Sequence, residues 1–96
     1  MTREDMAEIE AKVVAACEPR RSFQEAYRAG VPYVDKRRGK YIVPTEAFRK
    51  AFGSRYKFLE KEFGFYLASA GWKRTTRQIY ERSKRTLVVS VWVFEK

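Results

Sequence analysis

The segment Thr86–Glu95, TLVVSVWVFE, limits what this chain can fold into more than any other stretch. Extended, it places Leu87, Val89, Val91 and Val93 on one side and Val88, Ser90, Trp92 and Phe94 on the other, because side chains alternate along a strand. Both sides are largely apolar. A strand of this kind needs cover on each face, from layers of its own chain or from a partner. The chain has 96 residues, enough for one domain that buries a core without disulfides or metals. Residues 1–96 are therefore read as a single domain.

Upstream, the signals for helices and turns follow in an orderly way. Thr2 with Asp5 has the spacing of a capping box. Met6, Ile9, Val13 and Ala16-Cys17 then recur at helical spacing up to Pro19. Ser22 with Glu25 repeats the capping signal and opens a short helix through Ala29, with Gly30 as its stop. These N-terminal helices occupy residues 1–30. The pieces Val31–Val34 and Tyr41–Val43 are β-prone and flank Asp35–Lys40, so a hairpin is expected with the first piece at an edge because of Pro32. Pro44 and Thr45 begin a further helix with Thr45 as its cap, and Ala47, Phe48, Ala51 and Phe52 turn inward.

After a break at Gly53-Ser54, a longer helix is expected over about 55–70. Its core stripe is Leu59, Phe63, Tyr66, Leu67 and Ala70. At 100° per residue, Lys57, Lys61, Gly64 and Ala68 share the opposite side. Phe58 and Phe65 fall on one flank between the two sides, where three readings are open: completing the core beneath the N-terminal helices, which is favoured, a dimer contact, or stacking on unpaired bases. Gly71 ends this helix. A hairpin with strands at about 76–82 and 86–95 closes the chain. Trp72 is expected at the hairpin's base, and Trp92 at a sheet–helix or subunit boundary.

The catalytic inventory is thin. The chain has no histidine, which excludes Ser-His and Cys-His nucleophiles and histidine metal sites. A single cysteine builds neither a disulfide nor a structural zinc site, and Cys17 lies on an apolar stripe, as a small core residue does. Glu60 and Glu62 diverge on their helix. The five glycines are isolated, so no phosphate-cradling loop is present. The expectation is a protein that is not an enzyme and has no catalytic residues, metal or cofactor. No apolar run approaches the ~20 residues of a membrane span and the start lacks a signal-peptide pattern. The protein is thus expected in a reducing intracellular compartment, cytoplasmic or associated with a nucleoid. The absence of Asn, with only two Gln and abundant Lys, Arg and Glu, leans toward a source in a hot environment.

Charge is the positive signal. The formal net charge is +9, and it is segregated: residues 1–18 carry −3 and the remainder +12. Such a field concentrates polyanions and releases their counterions on contact. Lys57 and Lys61 lie one helical turn apart beside the small Gly64 and Ala68, so a backbone on this side can approach a groove wall closely. Gly64 itself costs a helix about 1 kcal/mol relative to alanine. It serves either such an approach or close packing within the protein. Lys73, Arg74, Arg77, Arg82, Lys84 and Arg85 crowd the hairpin around its connection. Lys36, Arg37, Arg38 and Lys40 form a possible second basic loop, equally readable as a solvated turn.

Taken together, the helix, the short strand at 41–43, the helix–turn–helix and the terminal hairpin resemble the winged helix-turn-helix family. The stretch LASAGWKRTTRQIYERSKRTLVVSVW is similar to a recognition-helix end followed by a wing, as in small phage, plasmid and archaeal regulatory or replication proteins. The resemblance covers residues 40–94, with the first helix supplied from upstream. It departs from the family in the short extra helix near 23–29 and in a wing turn without glycine. What it implies is an α+β winged-helix fold that binds double-stranded DNA as a regulator or a viral or plasmid accessory factor. Arg55, Lys57 and Lys61 would then act on the recognition helix and Arg82, Lys84 and Arg85 on the wing. Two other functions fit the same residues: a protein–protein adaptor or homodimerisation module, and a binder of RNA or single strands.

Overall fold

The computed structural model describes residues 2–80 and 85–95. Helix α1 spans Arg3–Ala16 and α2 Phe23–Arg28; β1 is Tyr33–Asp35 and β2 Lys40–Pro44. Helix α3 is Thr45–Phe52, a 3-10 turn covers Gly53–Arg55, and α4 is Tyr56–Ser69. Strands β3 (Lys73–Tyr80) and β4 (Thr86–Glu95) follow. The architecture is α+β around a four-stranded antiparallel sheet of order β1-β2-β4-β3.

Local chemistry sets the helix ends. The Thr2 hydroxyl accepts the Asp5 N–H at 3.2 Å, and Asp5 Oδ2 accepts the Thr2 N–H at 3.0 Å, which closes the capping box. Ser22 Oγ accepts from the Glu25 N–H at 3.2 Å to start α2. At α3 the expected cap is absent. Pro44 holds the cap position without a side-chain bond, and the Thr45 hydroxyl lies 3.0 Å from Ser90 Oγ on β4. The reason is connectivity: β2 runs into α3 without a linker, so Thr45 still faces the strand beside it. Gly53 breaks the helix pair at φ 73°, a conformation that costs other residues a steric penalty.

Strand alternation divides the core in two. One sheet face carries Val43 and Trp92, which pack against Met6 and Val13 of α1, Phe48 and Phe52 of α3, and Phe63 and Leu67 of α4. The other face carries Tyr33, Ile42, Ile79 and Val91, covered by Phe23 and Ala26 of α2. The short helix α2 is therefore the cover of the second face. Gln24 Nε2 and Arg28 donate to the Tyr80 carbonyl at 2.9 and 2.8 Å, tying α2 to the end of β3. The cover is incomplete: Leu87 on this face, and Tyr80 and Val88 on the other, stay exposed at the far end of the hairpin.

A carboxylate fastens α1 to the other side. Glu10 accepts from the Tyr66 hydroxyl and from Trp72 Nε1, both at 2.6 Å. Trp72 is buried at the hairpin's base and Trp92 at the sheet–helix boundary, as their positions in sequence lead one to expect.

Candidate nucleic-acid interface

The outward side of α4 and the adjoining sheet form an open groove. Lys57, Lys61, Gly64 and Ala68 line it from the helix, Arg74 and Trp92 from the sheet, and Phe58 and Phe65 stand at its rim. Periodicity places Lys57 and Lys61 together: α4 buries Phe63 and Leu67, and the lysines project from the opposite side. Register brings in Arg74. It sits opposite Trp92 across the β3–β4 ladder, hence on the face that meets α4. Its Nε donates to Ser90 Oγ at 3.3 Å, and Ser90 is itself held by Thr45, so the guanidinium is steered along the sheet toward the helix. None of these three cations forms an ion pair with a described residue. Their charge is available to a ligand.

The phenylalanines correct the sequence reading. Phe58 is 78% exposed and Phe65 69%, so neither completes the core. The N-terminal helices leave this flank open: α1 packs toward α3 and the inner side of α4, while α2 lies beneath the sheet. Lys57 Nζ stands 5.0 Å from the centre of the Phe58 ring, a cation–π distance.

Gly64 is half-buried, and a Cβ added there would find only Trp92 Cζ2, at 4.0 Å. That is ordinary contact, so internal packing does not demand a glycine.

Other expected site residues are dispersed. Arg55 lies in the 3-10 turn before α4 rather than on it. Its charge reaches the first turn of α1: the Asp5 carboxyl is held below its usual value first by the Thr2 backbone and most weakly by Arg55. Lys73, Arg74 and Arg77 are strand residues, not part of the connection, because β3 begins directly after Trp72. As an edge strand, β3 bears them where charge also discourages pairing with another chain. Lys73 and Arg77 face the side away from α4, where a second open recess also receives Lys40. Arg85 is exposed at the start of β4, whereas Arg82 and Lys84 lie outside the described residues.

The basic loop at 36–40 divides. Lys40 pairs with Glu95 at 3.5 Å, while Lys36 and Arg37 meet Arg20 and Arg21 beside β1, the opposite edge of the sheet. Asp35 Oδ1 accepts from the Arg37 and Arg38 N–H groups at 3.0 and 3.3 Å and fixes that turn.

Arg49 escaped the sequence reading. It joins Lys57 in a recess at the helix-pair junction, but Glu46 lies 3.5 Å from it and Glu60 lines the same recess, so the local charge is mixed. The signal in sequence was a cation next to Lys50 on the exposed side of α3, indistinguishable there from a solvated residue. Cys17 packs against the core and its thiol donates to the Val13 carbonyl at 3.5 Å; burial pushes its pKa up to about 12, which removes it as a nucleophile near neutrality. Among the described residues no cluster of His, Cys, Asp or Glu is placed to hold a metal ion, and no helix is long and apolar enough to cross a membrane. Comparison with models of protein families, with curated proteins and with solved structures gives no match to this chain.

Proposed function

We propose that this protein binds nucleic acid through the outward side of α4 and the β3–β4 hairpin, as a winged helix-turn-helix protein of regulatory or replication-accessory type, duplex DNA being the ligand that the family resemblance implies. The observation that carries the reading is the groove in which Lys57, Lys61 and Arg74, from two elements far apart in sequence, stand together without carboxylate partners. The run strand–helix–turn–helix–hairpin supports the fold assignment, with β2 joining the hairpin's sheet beside β4.

The test is a titration of duplex DNA at several salt concentrations. Affinity falls steeply as salt rises, because each neutralised phosphate releases counterions. Lys57→Glu with Lys61→Glu weakens binding at least tenfold and flattens the salt slope by about one per lysine, with the circular dichroism unchanged. Unchanged affinity and slope in that variant would overturn the assignment of the site.

A second reading, self-association as an adaptor or homodimer, is favoured by the exposed Tyr80, Leu87 and Val88 at the hairpin's far end. Light scattering over a dilution series decides it. A monomer throughout removes this reading.

A further inference from the structure

Within the nucleic-acid reading, on which this inference rests, we propose that the α4 groove takes a strand with unpaired bases. The bases stack on Phe58 and Phe65 while Lys57, Lys61 and Arg74 hold the phosphates between them. Three independent features point this way.

First, both rings stand well out of the surface at the rim of a cationic groove, instead of scattered singly over the molecule. Second, they lie seven residues apart on one helix, so their Cα atoms are separated by about 10 Å along the axis. That is roughly three nucleotides at the ~3.4 Å rise of a stacked strand. Third, the residue between them on the groove floor is Gly64, which no neighbour inside the protein requires. Without a side chain there, the helix backbone is open to a sugar or base lying between the rings.

The chemistry of the groove suits a single strand better than a duplex edge. Base edges in a major groove are read by polar side chains, and a phenyl ring finds little there beyond a thymine methyl. The described groove supplies no Asn or Gln to read such edges. Unpaired bases instead present π faces of any sequence to an aromatic side chain, while lysines and arginine track the backbone. Lys57 already sits against the Phe58 ring, so a base stacked on the free side of the ring would have its phosphate within reach of that ammonium.

Anisotropy titrations with a labelled single-stranded oligonucleotide, its ribonucleotide counterpart and the corresponding duplex test this, on wild type, Phe58→Leu/Phe65→Leu, Phe58→Tyr/Phe65→Tyr and Lys57→Glu/Lys61→Glu. The expected result is tighter binding of a single strand than of duplex. The leucine pair should lose about tenfold or more of single-strand affinity with duplex affinity little changed. The tyrosine pair should retain it, and the lysine reversal should weaken every ligand. Which of the two single strands binds better assigns the sugar. Equal single-strand affinity in the leucine pair and wild type overturns the stacking inference and leaves the nucleic-acid reading standing. Absence of binding to all three ligands overturns both. Self-association that the leucine pair abolishes would then give the groove to a second copy of the chain.

Discussion

Gly64 and Tyr66, two positions apart on α4, show how a single residue reports on different demands. A helix-interior glycine is less favourable than alanine by about 1 kcal/mol, and the space beside Gly64 accommodates a methyl group against Trp92. Gly64→Ala therefore raises the melting temperature by roughly 4–8 °C, a shift readable by differential scanning calorimetry. If the open backbone serves a ligand, the same variant binds nucleic acid more weakly. A gain in stability with unchanged affinity would show the glycine to be incidental. Tyr66 is governed from inside. Its pKa is pushed up to about 12, first by burial and then by the hydrogen bond to Glu10. The unfolded chain releases this proton near pH 10 while the folded one retains it. The contribution is thus fully present below pH 10 and is lost as pH rises to about 12. Tyr33 and Tyr56 shift in the same direction, so Tyr66→Phe lessens the alkaline loss in a pH series of denaturant melts without abolishing it. Neither Glu10 nor the fate of Phe58 and Phe65 was legible in the sequence. Glu10 looks like any acidic residue of an N-terminal helix until α4 and Trp72 arrive beside it. The two phenylalanines lie on a flank whose cover depends on where α2 goes, which periodicity does not encode.

Elements whose signals are local were legible, and those set by distant neighbours were not. Capping chemistry placed the starts of α1 and α2, the positive-φ glycine at 53 placed the break, and alternation placed β4 within its observed limits. Strand β3 begins earlier than the pattern suggests, since Lys73, Arg74 and Thr75 carry no apolar alternation and are drawn into the sheet by pairing with β4. The demand for cover on both sides of the last strand was also readable, but not that a six-residue helix supplies one side. That helix is too short to persist alone in water, so its order derives from packing. Phe23 is the larger of its two buried side chains, its ring 6.5 Å from that of Tyr33 in an edge arrangement. Phe23→Ala is expected to cost about 3–5 kcal/mol. Hydrogen exchange should then quicken at Ile79 and Val91 on the exposed face and far less at Phe63 and Leu67 across the sheet. Uniform acceleration would mean that the two cores open together.

At the scale of the molecule the cations do not act as one surface. The groove of Lys57, Lys61 and Arg74 adjoins β3, whereas Lys36 and Arg37 cluster with Arg20 and Arg21 at β1. Three strand spacings separate the two edges, about 14 Å in all. At physiological ionic strength exposed charges are largely screened beyond ~8 Å. A ligand in the α4 groove should therefore feel the far cluster only when salt is low. Lys36→Glu with Arg37→Glu is expected to weaken nucleic-acid binding at ~10 mM salt, where the screening length is about 30 Å, and to approach wild-type affinity at ~150 mM. Reversal of Lys57 and Lys61 also removes direct contacts, so its defect narrows with salt, as its flatter slope requires, but is still present at ~150 mM. Titrating both variants over that range separates a general positive field from a defined site. Parallel curves for the two would mean that the polyanion is held by net charge rather than by the groove on α4.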